Sequence, residues 1–121
     1  MKSTLIIKNN SIFRYVLKKG RYSKGKNIVI HVCNIKNEKN KLDDINYLGI
    51  CVSKKNGNSV ARNKLKRWVR EIYKNEELSL KKGFNIVILF KKNCLFKDVT
   101  YLSLDDDIKK CFEELQLHVL M

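Results

Sequence analysis

The chain has 121 residues, 26 of them Lys or Arg against 12 Asp or Glu, and a formal net charge of +14 at pH 7. Hydrophobic residues make up 44% of it, enough for one modest core and too many for a disordered polyelectrolyte. No apolar run approaches the roughly 18 residues of a membrane span, and the opening MKSTLIIKNN is too short in apolar residues, with Lys8 breaking it, for a secretory signal. A cytoplasmic location is expected.

There is no proline, no Gly/Ser linker and no repeat, so residues 1–121 are expected to form a single domain. Residues 11–19 predict a short helix that Ser11 can cap, with Ile12, Phe13, Val16 and Leu17 as its apolar stripe. Lys18 and Lys19 suit its last turn, and Gly20 its end. The β-branched run 27–35 predicts a strand and the polar stretch after it a solvated loop. YLGICVS, 47–53, predicts a second strand, and the spacing suits an antiparallel hairpin with a long loop. KKNGNSV, 54–60, is a turn signal, followed by a strong helical pattern from about Ser59 to Glu76. FNIVILF, 84–90, is apolar without alternation, as in a central strand buried on both faces. Ser103 opens a capping pattern that puts Asp105, Asp106 and Asp107 in a first helical turn, ahead of an apolar stripe of Ile108, Cys111, Phe112 and Leu115. The order helix, strand, strand, helix, strand, helix predicts an α+β two-layer sandwich with a small sheet.

Cys33, Cys51, Cys94 and Cys111 lie too far apart for a zinc-type pair and lack the secretory context of a disulfide framework. They fit small core residues, with Cys94 as a loop thiol. The three neighbouring aspartates suggest capping and dipole matching more simply than a Mg²⁺ site. His118 carries no signal. No Ser/His/Asp or Cys/His constellation is present, so no catalytic residue and no protein-bound metal are expected.

Charge is the informative feature. Residues 1–75 hold 19 basic and 4 acidic side chains, whereas residues 76–121 hold 7 and 8. A polyanionic partner is expected on the first two-thirds of the chain. From Lys54 to Arg70 there are seven basic residues and no acid. On a helical wheel Ala61, Leu65, Trp68, Val69 and Ile72 share one side, which should pack on the sheet. Arg62, Lys66 and Arg70 lie one turn apart on the other side, with Asn63, Arg67 and Lys74 beside them, as a basic ridge toward solvent. Residues four apart rise about 6 Å, close to the spacing of phosphates along a strand. Arginine offers phosphate two-point contacts and lysine a point charge. Lys54 and Lys55 precede the helix, and the Gly57-Asn58 turn exposes N–H groups near its start, suited to an anion. A merely solvated face is the alternative, but such faces mix in acids at i,i+4, and here only Glu71, opposite Arg67, does so.

Lys54-Lys55, Gly57-Asn58, Val60, Arg62-Asn63, Lys66-Arg67 and Arg70-Glu71 together resemble the signature of the bacterial ribonuclease P protein subunit. The resemblance extends over most of the chain. One departure is Lys64, where the family usually carries Arg; charge is kept and two-point contact weakened. The resemblance implies a fold shared with a domain of a ribosomal protein and of a translation factor, with a left-handed βαβ crossover. It implies the small subunit of a ribonucleoprotein that cuts the 5′ leader from precursor tRNA, in which the RNA, with bound Mg²⁺, is the catalyst. It implies that Lys54, Lys55, Asn58, Arg62, Asn63, Lys64, Lys66, Arg67 and Arg70 bind that RNA. It also implies a cleft for the single-stranded leader between the first helix and the sheet, lined by Phe13, Leu17 and His31, with Arg14, Lys18 and Lys26 nearby. Leu17 stands where an aromatic is common, and His31 would stack rather than catalyse; its bland alternative is a partly buried sheet residue. No membrane or stable protein partner is expected. A ribosomal or general RNA-binding module remains the alternative; a DNA-reading helix pair is disfavoured because a strand and a glycine turn precede the basic helix.

Overall fold

The computed structural model describes residues 3–35 and 45–119. Its elements in order are β1 (Thr4–Ile6), α1 (Asn10–Lys19), β2 (Arg21–Lys24), β3 (Ile28–Asn34), β4 (Asn46–Cys51), α2 (Ser59–Glu76), β5 (Phe84–Phe90) and α3 (Tyr101–Glu114). This is the α+β class, enlarged by the two short strands β1 and β2. The sheet order is β1-β4-β5-β3-β2. The expected hairpin of β3 with β4 does not form. β5 lies between them, antiparallel to β3 and parallel to β4, with Ile30 opposite Ile88 and Ile50 opposite Ile88 on its two sides. The apolar run of β5 needs burial on both faces and pairing at both edges, and this requirement outweighs proximity in sequence. Most of the loop expected after β3, residues 36–44, lies outside the described residues.

Alternation along the strands divides the core. Ile28, Ile30, Val32, Leu48, Ile86, Ile88 and Phe90 form one cluster with Leu65, Val69, Ile72 and Tyr73 of α2 and Leu104, Ile108, Cys111 and Phe112 of α3. On the other face Val87 meets Val16 of α1 and Ile7, with Phe13, Cys33, Tyr47, Cys51 and Leu89 packed around them. The sheet thus carries α2 and α3 on one face and α1 alone on the other. A Cβ on Gly20 would stand 2.6 Å from the Val16 carbonyl oxygen and 2.7 Å from that of Val32, so the end of α1 can pass this close to β3 only through glycine.

Several local expectations are corrected. α1 is capped by Asn9, whose side chain accepts from the Ser11 N–H, and not by Ser11. Within its stripe only Val16 is fully buried; Ile12 and Leu17 are each 37% exposed, because one helix on one sheet face buries only a narrow strip. α3 starts earlier than expected. Thr100 caps it and exchanges hydrogen bonds with Ser103, so Asp105–Asp107 fall in the second turn. Asp107 is buried and accepts from the N–H groups of Lys26 at 2.9 Å and Asn27 at 2.7 Å, while Asp105 pairs with Lys109. Cys94 does sit in a loop but is buried, its thiol donating to Asn27 Oδ1. All four cysteines are free thiols.

Gly49 lies beneath Phe13, where an added Cβ would come within 2.3 Å of the ring Cζ. Gly49→Ala must therefore push the Phe13 ring off the sheet. The expected cost is about 1–3 kcal/mol, as for other overpacked sites, measured as a lower urea midpoint with unchanged slope. A midpoint equal to that of the wild type would show that Phe13 does not rest on the glycine.

Candidate nucleic-acid interface

β4 and β5 run parallel, and β3 runs opposite to them, so the ends of β2, β4 and β5 and the start of β3 meet at one end of the sheet. Lys24 ends β2 there, and the connecting segments carry Lys26, Lys54, Lys55, Lys91 and Lys92. α2 also starts at this end. Lys54–Asn56 form a single 3₁₀ turn, and Asn58 caps α2 by accepting from the Ala61 N–H at 2.8 Å. The cap leaves the Ser59 and Val60 N–H groups at the head of an 18-residue helix, with no acid in its first turn.

α2 buries Ala61, Leu65, Val69, Ile72 and Tyr73. Trp68 was expected to pack on the sheet with them. It is only half-buried, stacked on Phe96 at 5.9 Å and edge-on to Tyr101 at 6.1 Å, with the Lys64 ammonium 5.4 Å over its ring. Tyr73 takes the inner place instead, its hydroxyl 2.7 Å from that of Thr4 in β1. The ridge is also less uniform than expected. Arg70 is exposed, as are Asn63, Lys64, Arg67 and Lys74, but Arg62 and Lys66 are half-buried. The Arg62 Nε is buried without a hydrogen-bond partner among the described residues. Lys66 lies near Cys51 of β4: burial pushes the Cys51 thiol up and the Lys66 charge opposes it. The basic helix thus flanks the β4 side of the sheet, since β1 pairs only with Asn46–Leu48 and stops short of Gly49–Cys51. No ion pair joins Arg67 to Glu71 among the described residues; Glu71 faces Tyr101 instead.

The cavity beside α1 lies between β1, the first turns of α1 and Asn34, Tyr47 and Asn85, and none of the residues expected in the leader cleft lines it. Phe13 is half-buried against the sheet; Leu17, one turn on, is partly exposed, and Arg14 and Lys18 are exposed on the adjoining ridge. His31 lies in β3 on the face that α1 partly covers, opposite Tyr22 in β2, with ring centroids 5.6 Å apart. Tyr22 is 58% exposed, and the Lys24 ammonium sits 5.8 Å from its ring centroid. Lys26 lies in the β2–β3 turn, its side chain exposed and its N–H held by Asp107. Tyr22 and Lys24 were missed in the sequence because β2 was not recognised. Only Ser23 of RYSK is buried, so these four residues show no alternation that marks the strand.

Among the described residues no cluster of His, Cys, Asp and Glu is arranged to hold a metal ion, and no helix is long and apolar enough to cross a membrane. The arrangement offers cations, helix N–H groups and exposed rings, the chemistry of phosphate contact and base stacking.

The chain matches the family model described as Ribonuclease P over residues 1–116. It is 34% identical to the ribonuclease P protein component of Alkaliphilus metalliredigens over 117 residues, covering 97% of this chain and 98% of that one. It is 39% identical to the Clostridium acetobutylicum protein component over 112 residues, covering 92% and 88%. The structure of the Staphylococcus aureus ribonuclease P protein superposes with a TM-score of 0.78 at 32% identity, covering 94% of this chain and 97% of that chain.

Burial holds the His31 pKa below its ordinary 6.5, and its Nδ1 is buried without a partner among the described residues. Above about pH 7.5 the imidazole is neutral in both states. Below 6.5 the unfolded chain takes up the proton and the folded chain resists it, so stability falls as pH falls. The stability advantage of wild type over His31→Gln should be flat above about pH 7.5 and shrink toward about pH 5, followed by urea titration across that range. A pH-independent difference would place the ring in open solvent.

Proposed function

Because this chain belongs to the bacterial ribonuclease P protein family, and so is a subunit of the holoenzyme that removes the 5′ leader from precursor tRNA, we propose how its two surfaces divide the work. α2 and the turn before it bind the ribonuclease P RNA through Lys54, Lys55, Asn58, Asn63, Lys64, Lys66, Arg67 and Arg70. The cleft between α1 and the sheet binds the leader. The observation that carries this is the run of seven basic residues and no acid between Lys54 and Arg70, on α2 and the turn before it, with the exposed Tyr22 ring beside His31 on the α1 face.

On α2 the cations are held apart by the helix rise and replace counterions on RNA phosphates; their release drives binding. Asn63 adds a neutral donor and acceptor, and the head of α2 offers N–H groups to a phosphate. In the cleft, unpaired leader bases stack on Tyr22, His31 and Phe13, while Arg14, Lys18 and Lys24 meet the backbone. Leu17 supplies apolar contact without a ring. Arg62 acts as a rim residue whose buried Nε is completed by an RNA acceptor. Mg²⁺ acts with the RNA subunit, where it supports phosphodiester hydrolysis. The chain supplies no catalytic group; it lowers the cation demand of the RNA and holds the leader. The cytoplasm, where precursor tRNA is made, is its place of action.

Reconstitution tests the division. Protein with its RNA subunit should cleave precursor tRNA at Mg²⁺ concentrations where the RNA alone does not, while RNA-free protein should leave the substrate intact. The combined Lys66→Gln, Arg67→Gln, Arg70→Gln variant should keep its fold and flatten the log–log salt dependence of RNA-subunit binding by about 2–3 units. An unchanged slope would make α2 a solvated face.

The cleft has its own test. Tyr22→Ala removes an exposed ring with little loss of packing, and should weaken binding of leader-bearing substrate by about 1–3 kcal/mol. Leaderless substrate should bind the Tyr22→Ala holoenzyme as it binds wild type. Equal losses for the two substrates would remove the leader from this cleft.

A further inference from the structure

Asn56 is 1% exposed although it follows two exposed lysines in a surface turn. Its side chain uses all its hydrogen-bonding capacity. The amide oxygen accepts from the Ser53 N–H at 2.9 Å and the Ser53 hydroxyl at 3.2 Å. The amide nitrogen donates to the Lys91 carbonyl at 2.8 Å and the Cys94 carbonyl at 2.7 Å. The reversed amide would set its oxygen against two carbonyl oxygens, so the network admits one orientation. Two of these bonds are made inside the segment after β4. The other two reach the segment after β5.

Residues 91–94 form a turn of their own, closed by the Cys94 N–H on the Lys91 carbonyl at 3.0 Å. Asn56 binds the carbonyls at both ends of this turn. The Lys91 N–H donates to the Asn27 carbonyl at 3.0 Å. The turn carries Lys92 and Asn93 exposed and Lys91 half-exposed, beside Lys54 and Lys55. None of these four lysines forms an ion pair among the described residues. Two lysine pairs, following two parallel strands, are thus tied together by one buried amide.

We propose that Asn56 is a positioning residue for RNA binding: it locks the 91–94 turn against the 53–58 turn, so that Lys91 and Lys92 join Lys54 and Lys55 as one cationic surface of fixed spacing for the RNA subunit. This rests on the assignment of α2 and its preceding turn to RNA binding. Asn56 itself touches no RNA. Without its amide the 91–94 turn keeps its ties to Asn27 but loses its link to the 53–58 turn, its two carbonyls must turn to water, and its two charges no longer hold a fixed spacing from the other pair.

The test is a double-mutant cycle on RNA-subunit binding by the full-length protein across a salt series. Lys91→Gln with Lys92→Gln should flatten the log–log slope by about 1.4–1.8 units, as two lost phosphate contacts do. Asn56→Ala, with every lysine still present, should flatten it by a similar amount, and the triple variant should be no flatter than either. A purely structural role would lower the melting temperature and leave the slope of the folded protein at its wild-type value, which would overturn the proposal. So would additive losses in the triple variant, or no change on removing Lys91 and Lys92. Asn56→Ser, which leaves room for a water on the two carbonyls, replaces Asn56→Ala if the latter unfolds at the assay temperature; unfolding of both would also overturn the proposal. The Lys66, Arg67, Arg70 variant separates the two levels. If it flattens the slope and Asn56→Ala does not, only the positioning role falls; if it too keeps the slope, RNA binding by α2 falls.

Discussion

The parallel pairing of β4 with β5 is the constraint on which the molecule turns. Parallel neighbours cannot be joined by a tight turn, so the chain must cross over the sheet between them, and α2 is that crossover. One side of α2 must then be apolar, because Leu65, Val69, Ile72 and Tyr73 roof the sheet. The exposed positions of its other side, Asn63, Arg67, Arg70 and Lys74, have no packing duty and are left for polar and charged groups. Basic residues on α2 cost the fold little, and the helix cannot turn them inward without exposing its core face.

The same pairing decides where the connecting segments meet. Parallel strands deliver their following segments to one end of the sheet, and antiparallel β3 begins there. Buried polar groups then tie these segments together. Asp107 holds the β2–β3 turn from α3, Asn27 receives Lys91 and Cys94, and Asn56 joins the post-β4 and post-β5 turns. At the opposite end Asn46 does similar work, accepting from the Phe84 N–H and donating to the Lys81 carbonyl. Each such group is costly to bury unpaired, by about 1–3 kcal/mol, so each specifies one arrangement of loops that apolar packing alone would leave free.

α2, β5 and the last stripe were legible because each buries a strong periodic or continuous apolar pattern: α2 spans Ser59–Glu76 and β5 Phe84–Phe90, as expected from the residues. The basic segment was legible for the opposite reason, its lack of acids. What escaped is non-local. No feature of Ile28–Asn34 or Asn46–Cys51 says that a strand beyond α2 inserts between them. β1 and β2 are too short to show a period and exist because β4 and β3 offer them an edge. Trp68 and Tyr73 exchanged places because both fall near the apolar arc of α2, and only the position of Thr4 and of Phe96 decides which goes in. The cleft was placed by resemblance through Phe13, Leu17 and His31; its exposed ring, Tyr22, follows from the β2 register, which no local pattern reveals.

The strand order also has a consequence for biosynthesis. The sheet's middle strand is among the last pieces of the chain to be made: β1, β2, β3, β4 and all of α2 precede it, and none of the three pairs β1–β4, β4–β5 and β5–β3 that span the sheet is local in sequence. Until residue 90 has left the ribosome, β3 and β4 have no common partner and the α2 face has no finished surface to cover. The nascent chain therefore emerges with its most cationic stretch unanchored, next to the largest mass of RNA in the cell. Closing of the sheet is a late, long-range event of the kind that sets slow folding rates, and it is the step that converts an indiscriminate polycation into a surface of fixed shape.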